Sequence, residues 1–238
     1  MANDREAELL EAVYADPEAD GPRIVYMDFL QQRGDPRGEL IALQLAGKDL
    51  HRQRELLDLH AEAWLGDAAV FIESSPSRFD FERGFLGTAR LVATHGSLPR
   101  ELATVVELHG AISPERAGTL RALQRVRMAM PDWVPASGVL GGWMTLFAAR
   151  PRFQHVRLVH RDIVRFELRR YDGRCALAVN LEAYGTVSAA EWLRPIAELD
   201  GFGWRLELVS RWRRGHQDLA DRITRLPNWE HVQIEGEL

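Results

Sequence analysis

The chain has 238 residues, of which 46% are hydrophobic and 27% are charged, and its formal net charge is −5, as in an ordinary globular protein. No run of about 18 consecutive apolar residues could span a membrane, and the acidic, amphipathic start is unlike a signal peptide. The single cysteine, Cys175, excludes an internal disulfide, so we expect a cytoplasmic protein that does not contact a membrane.

Residues 3–66 have the apolar spacing of about four short helices. The apolar stripe of the first helix consists of Leu9, Leu10, Val13 and Tyr14. The predicted buried face of the second helix consists of Ile24, Met27 and Leu30, with Val25 and Phe29 beside them. Gly34 can then take positive φ, while Asp35 is a good N-cap and Pro36 suits the first helical position. One helix therefore ends and the next begins within three residues.

Residues 15–44 also match a known family pattern at many fixed spacings. The matching residues are Ala15-Asp16-Pro17, Asp20, Pro22-Arg23, Val25-Tyr26, Asp28, Leu30, Arg33-Gly34-Asp35-Pro36-Arg37-Gly38-Glu39 and Gln44. On these residues the segment resembles the bacterial repeat-companion domain, a short N-terminal module found ahead of leucine-rich-like repeats. The family usually reads Tyr-Ala-Asp-Trp-Leu where this chain has Tyr26-Met27-Asp28-Phe29-Leu30, which keeps an aromatic residue in place. The resemblance implies an architecture and no particular activity.

Three segments of the C-terminal half share one strand pattern: apolar, Gln/Glu, Arg/His, Val, Arg/Gln, apolar. They begin at Leu123, Phe153 and Trp229, and looser matches occur elsewhere. The central residues of all six matches are Val106, Val126, Val156, Val179, Leu206 and Val232. Their intervals of 20 to 30 residues are typical of leucine-rich-type repeats, in which each unit supplies one strand and a helix or turn.

Helix and hairpin signals lie between these strands. Ser113-Pro114-Glu115 predicts a helix that reaches Leu123, and further helices are predicted from Ser188 onwards, over 139–150 and over 217–226. Asp172-Gly173 between two alternating segments predicts an antiparallel hairpin. We expect an α/β fold with a bacterial repeat-companion-like helical cap, residues 1–70. An irregular, solenoid-like leucine-rich-repeat domain follows, residues 80–238, with short helices and a sheet that is either mostly parallel or mixed.

Stacking of these strands would align polar residues on the exposed sheet face. The aligned positions are Arg125, His155, Arg205 and His231 before the central residue, and Arg127, Arg157, Glu207 and Gln233 after it. The candidate partner-binding residues are Arg125, Arg127, His155, Arg157, Arg205 and His231. The alternative interpretation is that these are solvated side chains on an antiparallel or covered sheet.

Charge distribution points to the same half of the chain. Residues 1–119 carry 12 basic and 21 acidic residues, whereas residues 120–238 carry 18 and 14. One interpretation is scatter combined with contacts between the halves, and the other is a basic surface that binds an acidic partner.

The sequence contains no catalytic, cofactor-binding or metal-binding constellation. His155 and His160 are five residues apart on a predicted strand, so they would face opposite sides. We therefore expect a non-enzymatic protein-interaction module without a cofactor, in one form an inhibitor or immunity-type protein, that binds a partner protein with an acidic surface. The alternatives are a nucleic-acid-binding protein that uses its arginine-rich surface, which is the less favoured partner class, and an enzyme of unknown class.

Overall fold

The computed structural model describes residues 2–73, 78–92, 96–130, 136–160, 164–181, 196–199, 201–210 and 229–235. These residues form an α/β structure with mixed strand pairing, which confirms the predicted fold class at that level. The chain divides into two compact units: Met1–Gly110 with Thr119–Leu123, and Ala111–Gly118 with Gln124–Leu238. No helix within the described ranges is long and apolar enough to cross a lipid bilayer.

Helices open the first unit as predicted. They are α1 (Ala2–Ala15), α2 (Asp20–Gln32), α3 (Pro36–Ala46) and α4 (Leu50–Trp64). The break between α2 and α3 has the expected chemistry, since Gly34 has a φ of 69°. The Asp35 carboxylate accepts a hydrogen bond from the backbone N–H of Arg37 at 2.8 Å, and Pro36 begins α3.

The buried face of α2 differs from the prediction. The residues that α2 buries are Arg23, Tyr26 and Leu30. Ile24 and Val25, which were expected on or beside the buried face, are 44% and 49% exposed. The cause is Phe85, a residue distant in sequence, whose ring lies 5.9 Å from the Tyr26 ring and 5.4 Å from the Arg23 guanidinium. The rest of the prediction is confirmed, since Leu30 is buried and Met27 and Phe29 pack partly buried against the same core.

The first unit also contains the strands β1 (Phe79–Glu82), β2 (Phe85–Leu91) and β3 (Glu107–Gly110). Strand β1 pairs antiparallel with β2, which pairs parallel with β3. The turn between β1 and β2 is held by α3. Arg37 Nε donates to the Gly84 carbonyl at 3.0 Å, and the Gly84 N–H donates to Gln44 Oε1 at 2.6 Å. The aromatic ring of Phe85 then completes the core of α1, α2 and α3.

The second unit begins with α5 (Pro114–Ala117), which has Gly118 as its C-cap and does not reach Leu123. It continues with β4 (Arg125–Ala129), α6 (Ala136–Ala149), β5 (His155–His160), β6 (Val164–Tyr171), β7 (Arg174–Leu181), β8 (Gly201–Ser210) and β9 (Trp229–Glu235). These strands follow one another in space as they do in sequence. Strand β6 is antiparallel to both neighbours, and the other neighbouring pairs from β4 to β9 are parallel.

The expected hairpin is present between β6 and β7, where Asp172 and Gly173 have φ values of 47° and 78°. Five of the six predicted strand centres lie inside strands, whereas Val106 lies one residue before β3. Most of the helix predicted from Ser188, and all of the helix predicted over 217–226, lie outside the described residues.

Candidate functional site

Strands β4 and β5 bring predicted site residues side by side. Their parallel register places Arg125 opposite His155, Val126 opposite Val156 and Arg127 opposite Arg157. Strands β8 and β9 repeat the arrangement, with Arg205 opposite His231 and Glu207 opposite Gln233. Within each strand pair, the structure therefore aligns the positions that the sequence pattern predicted.

The two strand pairs do not form one continuous ladder, because β6 and β7 lie between them. His155 on β5 is opposite Arg169 on β6, and Ala176 on β7 is opposite Arg205 on β8. The residue of β7 that faces Leu206 is Leu177, so the predicted centre at Val179 was wrong by two residues. The antiparallel strand β6 sets this register and separates the predicted rows.

Residue alternation along the strands defines the surface that we call the charged face. On β4 to β8 it consists of Arg125, Arg127, His155, Arg157, Arg165, Glu167, Arg169, Tyr171, Arg174, Ala176, Ala178, Arg205 and Glu207, and the same alternation adds the uncharged Ala129, Val159, Asn180 and Val209. Helix α6 packs on the opposite face, where Phe147 contacts Trp204 with ring centroids 5.9 Å apart. Trp143 and Phe147 of that helix are fully buried. The charged face is therefore the side of these strands that does not receive α6.

Exposure varies across the charged face. Arg125 and Arg127 are exposed on β4, and the Arg205 side chain on β8 is 43% exposed. By contrast, Glu167 and Ala178, which are opposite one another on β6 and β7, are 5% and 0% exposed. The accessible cations thus surround a buried centre that Glu167 and Ala178 form.

Glu167 is the centre of an ion cluster that the sequence did not predict. Its carboxylate lies 3.6 Å from His155 Nε2, 3.9 Å from Arg157 Nε and 4.0 Å from Arg165 Nη1. It also forms an ion pair and hydrogen bond with Arg169. A buried carboxylate requires such partners, because its desolvation is costly without them. The alternation of Val164, Phe166 and Leu168 was the available signal, since it assigns residues 165, 167 and 169 to the other face.

The second carboxylate of the charged face has a simpler environment. Glu207 is 9% exposed and its Oε1 lies 3.1 Å from Arg205 Nε, the one cation that it contacts among the described residues. The candidate residue Arg205 thus forms a pair with Glu207, whereas the candidate residues His155 and Arg157 belong to a larger cluster.

Cys175 is unsuited to nucleophilic chemistry, because burial raises the pKa of its thiol. Arg170 donates to Cys175 Sγ at 3.4 Å and to the carbonyls of Phe153 at 3.2 Å and Arg150 at 3.1 Å. It also donates to the Phe147 carbonyl, so it secures the C-terminal end of α6. Within the described ranges, no group of three or more His, Cys, Asp or Glu residues could hold a metal ion.

Comparisons with known proteins leave the chain without an assigned family. No protein-family model, no curated protein and no solved structure matches it. The resemblance of residues 15–44 to the repeat-companion domain therefore stays a prediction.

Proposed function

We propose that this protein is a non-enzymatic binding module that recognises an acidic partner protein through the charged face. The observation that carries the proposal is the register of β4 and β5, which sets Arg125 beside His155 and Arg127 beside Arg157. Neighbouring strands are about 4.8 Å apart, so these side chains form a compact group of cationic and imidazole donors. Guanidinium groups at this spacing suit carboxylates, to which they donate two parallel hydrogen bonds.

Charge complementarity favours an acidic occupant. The charged face contains seven arginines and two glutamates among its defining residues, and both glutamates already contact arginines of the same face. A partner with clustered carboxylates would be attracted to the remaining positive potential and would associate faster at low salt. An inhibitor or immunity-type protein, which covers an acidic functional surface of its target, is one specific form of this function.

The rest of the chain has a supporting role in this proposal. The parallel pairs β4–β5 and β7–β8–β9 would be degenerate leucine-rich-like repeats, interrupted by β6. The helices of the first unit would be the repeat-companion-like domain that accompanies such repeats.

A nucleic acid is the second candidate partner, because the same arginines can contact phosphates. Surfaces that bind single strands also stack bases on several aromatic side chains, whereas Tyr171 is the one Phe, Tyr or Trp among the defining residues of the charged face. That composition favours the acidic protein partner.

The test is a fluorescence-anisotropy titration of the purified protein with a labelled glutamate-rich peptide and, separately, a labelled mixed-sequence single-stranded RNA. The double variant Arg127→Glu, Arg157→Glu should weaken peptide binding by roughly tenfold or more, since two donors of the face become repulsive. The matched control is Arg5→Glu, Arg54→Glu, which makes the same charge change at exposed positions of α1 and α4. Equal peptide affinity of the two double variants would contradict the proposal, and tight binding of the RNA alone would favour the second candidate.

A further inference from the structure

We infer that Glu167 is a positioning residue of the charged face: it holds the arginines in the orientation that binds the partner's carboxylates. This inference rests on the proposed function. Glu167 is negatively charged, whereas the proposed partner would bind to the positively charged groups of the face. Glu167 therefore acts through its neighbours and makes no favourable contact with the partner itself.

The first argument is the convergence of cations from two strands. His155 and Arg157 approach the Glu167 carboxylate from β5, and Arg165 and Arg169 approach it from β6. Every one of these contacts is within 4.0 Å. One carboxylate therefore restrains four side chains of the face, including two of the predicted partner-binding residues.

The second argument is burial. The Glu167 side chain is only 7% exposed, whereas the side chains of His155 and Arg169 are 37% and 36% exposed. The carboxylate thus lies beneath the cations that surround it, and a ligand arriving from solvent meets the cations first. Strand β7 contributes only Ala178 opposite Glu167, so no long side chain from that position competes for the cluster.

The third argument is conformational entropy. An arginine has many rotamers, and binding must fix one of them. An internal carboxylate that already restricts those rotamers lowers the cost at the moment of binding, in the way that preorganisation improves any binding site. The same carboxylate reduces the net positive charge of the face, which taken alone would weaken binding of an acidic ligand.

These two effects have opposite signs, so a neutral substitution separates them. Glu167→Gln keeps the size of the side chain and raises the net charge by one. A face that acts only through its total charge would bind a glutamate-rich peptide more tightly in this variant. A preorganised face would bind it more weakly, because Arg169 loses its charged hydrogen-bond acceptor and Arg157 and Arg165 lose the charge that attracts them.

Glu207→Gln is the matched control. It makes the same charge change on the same face, but among the described residues Glu207 contacts one arginine, where Glu167 contacts three arginines and a histidine. In the peptide titration, Glu167→Gln should weaken the affinity at least threefold, while Glu207→Gln should tighten it because it raises the net positive charge of the face. Glu167→Asp, which keeps the charge and shortens the side chain, should also weaken it.

A second readout does not depend on any ligand. The guanidinium signals of Arg169, which hydrogen-bonds to Glu167, should be sharp in ¹⁵N NMR spectra of the original protein and broadened in Glu167→Gln. Circular dichroism at the assay temperature would verify that each variant is folded. Peptide binding by Glu167→Gln that is as tight as by Glu207→Gln would overturn the inference and leave the proposed function standing. Absence of binding by the unsubstituted protein would reject both.

Discussion

At the residue scale, the structure explains several sequence signals as packing requirements. Gly84 in the β1–β2 turn has a φ of 77°, and a Cβ built there would lie 2.1 Å from Ile41 Cγ1. Its N–H and carbonyl are both bound by side chains of α3, from Gln44 and Arg37. Arg37 and Gln44 belong to the repeat-companion-like pattern. Their side chains therefore bind the backbone of a hairpin turn that lies elsewhere in the first unit.

Gly84→Ala should destabilise the protein by about 2–4 kcal/mol, because it combines a left-handed backbone with overlap of a buried side chain. Gly173→Ala is the control, since Gly173 has nearly the same φ, 78°, with no atom within 4 Å of the built Cβ. Its cost should be about 1–2 kcal/mol, from backbone strain alone. Urea unfolding of both variants measures the difference, and equal losses would contradict the close docking of the turn.

At the element scale, the sequence predicted where helices begin and end better than it predicted which side of a helix is buried. The end of α2 and the start of α3 depend on Gly34, Asp35 and Pro36, whose conformational preferences act within a few residues. Apolar spacing predicted the buried face of α2 only in part. Leu30 is buried as predicted, whereas Arg23 and Tyr26 are buried against Phe85, which is more than fifty residues away in sequence.

The candidate site follows the same rule. The aligned positions Arg125, His155, Arg127 and Arg157 were predictable, because identical strand patterns in parallel pair in register. The cluster around Glu167 was not predicted, because it requires knowing that the antiparallel strand β6 pairs with β5 instead of a further repeat. The Asp172-Gly173 signal predicts the turn between β6 and β7, but it does not predict which strand pairs with the outer edge of this hairpin.

Helix α6 supplies a test of element docking through Arg170, which donates to the carbonyls of Arg150 and Phe153 and stacks 4.8 Å from the Phe147 ring. Arg170→Met should lower the free energy of unfolding by about 2–4 kcal/mol, since these acceptors lose a charged donor. Arg174→Met, at an exposed position of the same hairpin, should change it by less than about 0.5 kcal/mol. Thermal or urea unfolding compares the two, and similar values would show that Arg170 does not secure the helix.

At the scale of the whole molecule, charge is divided along the chain, with an acidic excess in residues 1–119 and a basic excess in residues 120–238. In the second unit the described strands concentrate that basic excess on one side, because their apolar residues face α6. The proposed function depends on this separation of an apolar side and a cationic side. It predicts that an acidic ligand contacts β4, β5 and β8, and that the helices α1 to α4 are not involved.

The most direct test of that claim is a ¹H–¹⁵N NMR titration of the deuterated protein with the glutamate-rich peptide. The account predicts that the largest shifts occur at the backbone amides of residues 125–127, 155–157 and 205–207. They should saturate at the peptide concentration expected from the anisotropy titration and diminish at high salt. Shifts that concentrate in α1 to α4, or saturable binding that leaves these three segments unchanged, would contradict the assignment of the charged face as the binding surface.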